Sequence, residues 1–181
     1  MKKTGAADES EVQACGIPFM SSGSSSGRFL VINNISKMQN IRNLCLIAGA
    51  CDFSVLFVQP SDNVLEESVM NPSLMSKNLQ IRYHVFSTLD EMKGFLAERK
   101  IPLVGIEIME TAISMKSYDY EQRYQIAFMP GNEGMGLTPK QKKICDHFLY
   151  IPQYGAGTAS LNVNLATSIV LYDYCSRTSL A

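Results

Sequence analysis

A glycine-containing loop in the second half of the chain, MPGNEGMGLTP (residues 129–139), combines small residues with polar and acidic ones. It follows an apolar run that predicts a buried strand, and it holds Asn132 and Glu133 among three glycines. Glycines alone would fit a tight turn. A carboxylate between them favours a ligand that carries hydroxyl groups or positive charge, so Asn132 and Glu133 are candidate binding residues.

A second loop, within YIPQYGAGTASLNVNL (residues 150–165), joins another predicted strand to a long apolar helix pattern. Gly155 and Gly157 make the junction small, and Ser160 and Asn162 make it polar, although both flanking segments have the composition of buried core. Loops of this kind usually let a ligand approach the backbone closely.

A third candidate segment, NNISKMQNIRN (residues 33–43), places Lys37, Asn40 and Arg42 at a predicted helix start. Free backbone N–H groups and the helix dipole favour an anion such as a phosphate there. The alternative is a solvated turn whose asparagines cap the helix. No G-x-G-x-x-G opens a helix after the first strand, and no Lys-Ser/Thr pair ends a P-loop, which disfavours a nucleotide held by its phosphates.

The three loops follow strands of a predicted α/β pattern. Six apolar runs predict strands, namely RFLVIN (28–33), SVLFVQ (54–59), RYHVF (82–86), PLVGIEI (102–108), YQIAFM (124–129) and HFLYIP (147–152). Helices are predicted over 39–50, after Thr88 and Thr138, and over 161–174. Glu91 and Gln141 complete capping boxes with these two threonines. Alternating strands and helices indicate a mostly parallel sheet with helices on both faces, and ligands bind beyond the carboxyl ends of such strands.

The length of 181 residues predicts one folded domain. Residues 1–27 are rich in Ser, Gly and charge, which predicts a flexible N-terminal tail or linker before a folded domain of residues 28–181. The formal net charge is -1, so charge neither supports nor excludes a nucleic-acid partner.

The cysteines and histidines predict neither a disulfide framework nor a metal site. The five cysteines are odd in number and contain no C-x-x-C pair, which favours free thiols in a reducing compartment. His84 and His147 lie in apolar, strand-like runs and are interpreted as structural. No apolar run reaches the length of a membrane span and no signal peptide is evident, so the expected location is cytoplasmic or nuclear, with an organelle left open.

The loops together carry a family resemblance. IAFMPGNEGMGL followed by YIPQYGAGTASLNVNLATSIVLYDY resembles motifs two and three of the SpoU (TrmH-type) RNA 2'-O-ribose methyltransferases of the SPOUT superfamily. NISKMQNIRNLCLIAGACDFSVLFV looks like motif one, so the resemblance runs from about Arg28 to Cys175. It implies an α/β fold with a C-terminal deep trefoil knot, a homodimer, S-adenosylmethionine as cofactor, and methyl transfer to a ribose 2'-OH of tRNA or rRNA.

The resemblance also implies roles for individual residues. It implies a cofactor pocket lined largely by backbone groups of Met129, Gly131, Asn132, Ile151, Gln153 and Leu161. It places Ser160 and Asn162 beside the methyl donor and the target nucleotide. Glu133 matches the glutamate of motif two, which organises the site, and Asn40 matches the asparagine of motif one.

One catalytic position departs from the family pattern. The resemblance implies an arginine six residues after Asn40, acting as general base or contacting the target, but Leu46 stands there. Arg42 lies one helical turn before Leu46 on the same face and is the candidate to replace it. The alternative is a catalytically degenerate SPOUT-fold protein that binds RNA or S-adenosylmethionine without efficient methyl transfer.

Basic residues near these loops predict an RNA-binding rim. Lys140, Lys142 and Lys143 form the densest basic cluster, and Lys37 and Arg42 would extend it. The alternative for the lysine cluster is a solvated helix face.

Overall fold

The computed structural model describes residues 16–18, 27–65, 81–120, 125–155 and 160–178. Its strands are β1 (Gly16–Pro18), β2 (Arg28–Ile32), β3 (Ser54–Val58), β4 (Ile81–Phe86), β5 (Leu103–Ile106), β6 (Ile113–Ser114), β7 (Ile126–Pro130) and β8 (His147–Tyr150). Its helices are α1 (Met38–Ala50), α2 (Asp62–Leu65), α3 (Leu89–Glu98), α4 (Pro139–Ile144) and α5 (Val163–Thr178). All six predicted strands and all four predicted helices are present.

The strands form one sheet in the order β1-β4-β3-β2-β7-β5-β8-β6. Every recorded pairing of neighbouring strands is parallel. Leu30 in β2, for example, lies opposite Val55 on one side and Phe128 on the other. The predicted parallel α/β sheet is therefore confirmed, and all strands end at one edge.

Both faces of the sheet are covered by helices, as predicted. Along β2, Leu30 and Ile32 belong to one apolar cluster and Phe29 and Val31 to another, because successive side chains of a strand point to opposite faces. The first cluster includes residues of α1 and α5, namely Leu44, Ala48, Val170 and Leu171. The second includes Leu89, Met92 and Leu96 of α3. Among the described residues, no helix is long and apolar enough to cross a membrane.

Four aromatic rings hold α5 against the sheet. Tyr174 of α5 contacts Phe53, Tyr120 and Phe128 edge to face, with ring centroids 5.5, 5.4 and 5.8 Å apart. Edge-to-face pairs at such distances add stability beyond the area that they bury. This cluster fixes the helix that follows the second candidate loop.

The sequence-based prediction is wrong at one part of the expected tail. Gly16–Pro18 forms the edge strand β1, paired with β4 from Gly16 opposite Ile81 to Pro18 opposite Tyr83. Three residues are too few to create an alternating pattern, and a strand at the edge of a sheet needs only backbone hydrogen bonds on one side. The short elements β6 and α2 were also not predicted, for the same reason of length.

The four cysteines in the described part of the chain, Cys45, Cys51, Cys145 and Cys175, are free thiols. Cys175 donates a hydrogen bond to the carbonyl oxygen of Cys51 at 3.6 Å, so the last turn of α5 lies against the end of α1. A hydrogen bond from Cys175 also holds the pKa of the Cys51 thiol below its ordinary value, although burial acts in the opposite direction.

We expect Tyr174→Ala to lower the free energy of unfolding by about 3–5 kcal/mol, since it deletes a ring that is 1% exposed. Tyr174→Phe is the matched control, because it keeps the ring contacts and should lose only about 1 kcal/mol. Urea denaturation followed by circular dichroism measures both. Equal losses in the two variants would contradict a dominant role for ring packing.

Candidate functional site

A cavity of about 290 Å³ opens at the carboxyl edge of the sheet, where β5, β7 and β8 end. Small-molecule pockets in proteins usually measure roughly 300–1,000 Å³. The loop after β7, here called the GNEG loop (residues 131–137), forms much of its wall. The structure brings eight of the predicted site residues to the cavity wall, namely Gly131, Asn132, Glu133, Lys142, Ile151, Gln153, Ser160 and Leu161. Gly157 of the second candidate loop lies outside the described residues.

The GNEG loop is closed by its own hydrogen bonds. Asn132 and Gly136 exchange two backbone N–H to C=O bonds of 3.0 Å each. The side-chain oxygen of Asn132 accepts from the amides of Gly134 at 2.9 Å and Met135 at 3.2 Å. At Gly131 a Cβ would lie 2.8 Å from the carbonyl carbon of Gly136, so only glycine permits this close approach.

Glu133 caps the N-terminus of α1 from outside the helix. Its Oε1 accepts from the backbone N–H of Lys37 at 3.2 Å and from the Asn40 amide at 2.6 Å, and its Oε2 accepts from the N–H of Ser36 at 3.2 Å. Lys37 occupies the N-cap position of α1 and makes no side-chain capping bond. A carboxylate therefore accepts from the N–H of the N-cap residue and from the N–H just before it, at the helix end where the dipole favours negative charge.

These hydrogen bonds stabilise the ionised form of Glu133. Burial raises the pKa of its carboxyl group, but the hydrogen bonds from Asn40, Ser36 and Lys37 lower it, and the net pKa lies below the ordinary value of 4.5. The side chain is therefore ionised at neutral pH and already accepts three donors. Such a group organises its surroundings and is a poor proton acceptor.

Asn164 in α5 is a site residue that the sequence analysis did not identify. Its Nδ2 donates to Oδ1 of Asn40 at 2.8 Å, which orients Asn40 so that its own Nδ2 faces Glu133. Asn162 accepts at its Oδ1 from the N–H of Asn164 at 2.9 Å and so caps the start of α5. The two asparagines in SLNVNL were the available signal, since polar residues in the first turn of a helix can cap it or point to a neighbour.

Two further amides join the cavity loops to the segment after β2. The side-chain nitrogen of Asn132 donates to the carbonyl oxygen of Asn34 at 2.8 Å and to the Ser36 hydroxyl at 2.9 Å. Gln141, fully buried, donates to the carbonyl oxygen and the side-chain oxygen of Asn33 at 3.2 and 3.0 Å. Its own oxygen completes the predicted capping box at the start of α4. The side chains of Asn132 and Gln141 therefore have structural roles.

Glu107, directly after β5, lines the cavity and was also not identified by the sequence analysis. Its Oε2 accepts from the backbone N–H of Leu137 at 2.7 Å and its Oε1 from that of Ile108 at 3.2 Å. The available signal was its place, since it is a carboxylate at the carboxyl end of a buried parallel strand.

Met129 does not reach the cavity wall. It is 0% exposed within the apolar cluster on the α3 side, and its backbone pairs opposite Gly105. Pro130, the next residue, lines the cavity instead. At this strand end the alternation of the backbone turns Met129 into the core.

Arg42 and Leu46 lie one turn apart in α1, as the sequence predicted. Leu46 is partly buried and packs against the apolar cluster beneath α1 and α5. Neither Arg42 nor Leu46 lines the cavity, and Asn40 reaches it only through Glu133. At position 46 the structure thus has an apolar contact with the core.

The predicted basic rim is only partly free. Lys142 lines the cavity, whereas the ammonium group of Lys140 lies 3.2 Å from the Asp90 carboxylate in an exposed ion pair. Lys37 and Lys143 are exposed. The positive charge beside the cavity therefore comes mainly from Lys142 in α4 and from Lys37 at the start of α1.

The histidines pack against aromatic rings. His84 lies 4.3 Å from the Phe86 ring and 5.7 Å from the Phe95 ring, and His147 lies 6.0 Å from Tyr118. These contacts fit the structural interpretation. In the described ranges, no group of three or more His, Cys, Asp or Glu could hold a metal ion.

The carboxylate of Glu133 predicts a pH-dependent contribution to stability. Its folded-state pKa is lowered, so the contribution is complete above the ordinary value of 4.5 and is lost as pH falls through the folded-state pKa. We expect Glu133→Gln to lower the melting temperature at pH 7, with a difference from the unsubstituted chain that shrinks below pH 4.5.

Glu110→Gln is the control, because Glu110 is an exposed carboxylate outside the cavity wall. Thermal melts of all three proteins from pH 3.5 to 8 would measure the effect. A constant difference between Glu133→Gln and the unsubstituted chain across this range would rule out the charge of Glu133 as its cause.

Comparison with known proteins gives consistent matches. Over 72 residues the chain is 35% identical to the tRNA (guanosine(18)-2'-O)-methyltransferase of Aquifex aeolicus, covering 38% of this chain and 34% of that one. Over 93 residues it is 31% identical to the 23S rRNA (guanosine-2'-O-)-methyltransferase RlmB of Bordetella pertussis, covering 51% of this chain and 36% of that one. The matches thus span about a third of the length of these relatives.

A solved structure supports the fold independently. The SpoU methyltransferase AviRb of Streptomyces viridochromogenes, solved in complex with the cofactor AdoMet, superposes with a TM-score of 0.68 at 20% identity, over 82% of this chain and 57% of that one. The model of the SpoU rRNA Methylase family matches residues 27–172, which include all three candidate loops. The chain therefore belongs to the SpoU rRNA methylase family.

Proposed function

We propose that this chain is an S-adenosylmethionine-dependent RNA methyltransferase that acts on a ribose 2'-OH of tRNA or rRNA. The cavity carries the proposal, because its walls are the loops that resemble motifs two and three of the SpoU family. The names of the relatives state 2'-O-methylation of guanosine in tRNA or 23S rRNA, and a structural neighbour holds AdoMet.

The residues of the cavity fit S-adenosylmethionine, a ligand with a flat aromatic base, a diol, a positive sulfur and an amino-acid end. Ile106 and Ile108 supply apolar surface, Glu107 and Glu133 supply negative charge, and Lys142 supplies positive charge. The predicted pocket residues at the wall would hold the ligand, namely Gly131, Asn132, Ile151, Gln153 and Leu161. Met129 would support this wall from the core side.

The chemistry requires orientation above all. When bound, S-adenosylmethionine supplies a methyl group on a positively charged sulfur. The attacking ribose oxygen has to approach this carbon in line with the breaking carbon–sulfur bond, whose electron pair stays on the sulfur of S-adenosylhomocysteine. The hydroxyl proton has to pass to water or to a basic group at the site. Ser160 at the cavity wall and Asn162 at the start of α5 are both exposed and would position the target nucleotide. Orientation of reacting groups can supply roughly 7–11 kcal/mol of the barrier.

The rim would contact the RNA backbone. Lys37 and Lys143 are exposed on the two sides of the cavity, Lys142 lies at its wall, and Arg42 follows on α1. Phosphate contacts of this kind position an RNA without reading its sequence. Lys140 would contribute less, since it is paired with Asp90.

A second candidate function has its own observation. Leu46 packs against the core at the position where the resemblance implies an arginine. In this reading the chain is a degenerate family member that binds RNA or S-adenosylmethionine without efficient methyl transfer. Substitution of Arg42 distinguishes the active from the degenerate function, since Arg42 is the basic residue one helical turn from Leu46 in α1.

Methyl incorporation into total tRNA and rRNA from labelled S-adenosylmethionine tests the proposal. We expect incorporation by the unsubstituted chain and a loss of roughly 10- to 100-fold in Arg42→Ala, the range for a lost hydrogen bond that involves a charged group. Arg99→Ala is the control, because Arg99 lies on the far side of the sheet over the Phe95 ring.

The outcomes separate the two functions. Unchanged incorporation in Arg42→Ala would remove Arg42 from catalysis. An absence of incorporation by the unsubstituted chain, with S-adenosylhomocysteine still bound in calorimetry, would favour the degenerate binder.

We also propose a homodimer in which a second copy covers the outer face of α5. Leu165, Ile169 and Tyr172 are 58%, 40% and 73% exposed at helical spacing, although the opposite face of α5 is core. The stripe continues into Leu161 at the cavity wall, so a second copy bound there would also border the site.

We expect sedimentation equilibrium to give twice the chain mass, and we expect Leu165→Lys to shift it to the mass of one chain. A lysine in an apolar interface would leave a buried charge unpaired. Ser176→Lys is the matched control on an exposed polar position of α5. A single-chain mass without substitution would contradict the dimer.

The trefoil knot expected from the resemblance is likewise a proposal. Two observations support the knot. β8 lies between β5 and β6 in the sheet. Arg177 of α5 donates hydrogen bonds to the carbonyl oxygens of Met115 and Tyr118, which precede β7. A crystal structure that traces residues 150–165 tests this, since a path outside the segment between β5 and β7 would exclude the knot.

A further inference from the structure

Glu107 is held in place at the cavity wall by backbone groups. Oε2 accepts from the N–H of Leu137 at 2.7 Å and Oε1 from the N–H of Ile108 at 3.2 Å. A carboxylate has about four acceptor positions, so two remain. Within the described part of the chain, Glu107 takes part in none of the ion pairs found.

The GNEG loop is shaped around this carboxylate. Gly136 has a φ of +66°, a conformation that favours glycine, and a Cβ there would collide with the Glu107 carboxylate. The absence of a side chain at position 136 leaves the space that the Glu107 carboxylate occupies. A carboxylate fixed in this way has little freedom to turn away from the cavity.

The surroundings of Glu107 distinguish among the parts of a ligand. Ile106 and Ile108 flank it in the chain and both line the cavity, whereas the positive charge of Lys142 comes from α4. A flat aromatic base joined to a hydroxyl-bearing sugar matches the apolar side chains of Ile106 and Ile108 beside the Glu107 carboxylate. The carboxylate of an amino-acid end matches Lys142.

We propose that Glu107 accepts hydrogen bonds from the ribose diol of the adenosyl group and thereby selects adenosyl ligands with intact hydroxyls. The inference rests on the proposed function, since it presumes an adenosyl ligand in this cavity. A carboxylate at the end of a parallel strand is a suitable acceptor for two adjacent hydroxyl groups. Glu107 would then determine specificity for the nucleoside part of the ligand and take no part in the transfer of the methyl group.

Isothermal titration of S-adenosylhomocysteine and its 2'-deoxy and 3'-deoxy analogues tests this without any turnover. For the unsubstituted chain we expect at least one deoxy analogue to bind roughly 10- to 100-fold more weakly, the range for a hydrogen bond to a charged group. In Glu107→Gln we expect S-adenosylhomocysteine to weaken by a similar factor and the deoxy analogues to weaken little further. Glu110→Gln, outside the cavity wall, should behave as the unsubstituted chain.

The dependence on the ligand hydroxyl separates binding from a structural role. Glutamine keeps an acceptor for the N–H of Leu137, and a merely structural loss would weaken all three ligands equally. Equal affinity of the unsubstituted chain for all three ligands would overturn the inference with no variant needed. A preference for the intact hydroxyls that persists in Glu107→Gln would also overturn the inference. So would a larger loss of affinity on removing the amino group of S-adenosylhomocysteine than on removing a hydroxyl, since Glu107 would then bind the ammonium group.

The same titration keeps this inference apart from the proposed function. Failure of the unsubstituted chain to bind S-adenosylhomocysteine overturns the proposed function, and the inference with it. Binding that does not depend on Glu107 overturns the inference alone.

Discussion

The cavity depends on one interaction, the contact between the Glu133 carboxylate and the start of α1. A helix start carries several backbone N–H groups without partners inside the helix, and α1 has no capping side chain of its own. The carboxylate accepts from the N–H of the N-cap residue Lys37, from that of Ser36 just before it, and from the Asn40 side chain. This arrangement ties the GNEG loop to the start of α1. Because the same carboxylate is ionised and already accepts three hydrogen bonds, it is a poor proton acceptor.

Other polar contacts spread outward from this pair. Asn164 connects Asn40 to α5, and Asn132 connects the GNEG loop to the segment after β2. Short side-chain amides suit these positions because each offers both donors and an acceptor. The network that supports the cavity wall therefore consists of these amides and the Glu133 carboxylate, and the packing of Tyr174 holds the last turns of α5 against the sheet. The hydrogen bonds that hold the GNEG loop in this arrangement need no ligand.

Most of the fold was predictable because its core strands are short apolar runs separated by helices with clear capping residues. Thr138 and Gln141 form the capping box that the sequence indicated. The site residues that the sequence did not predict are brought to the site by tertiary contacts. Glu107 lies in no glycine loop, and Asn164 acts only because α1 lies beside α5. Met129 belongs to the motif by sequence, yet the alternation of β7 turns it into the core.

The order of these contacts along the chain has a consequence for synthesis. Asn40 and Glu133 are 93 residues apart, and Asn40 and Asn164 are 124 apart. The ribosome synthesises the start of α1 long before Glu133 and Asn164. This end of the helix therefore lacks both partners while most of the sheet is synthesised. Contacts of such long range form late, since the loop between them costs entropy before any bond repays it. The cavity is thus assembled only after α5 has been synthesised, and a chain that stops short of α5 has strands but no complete cavity.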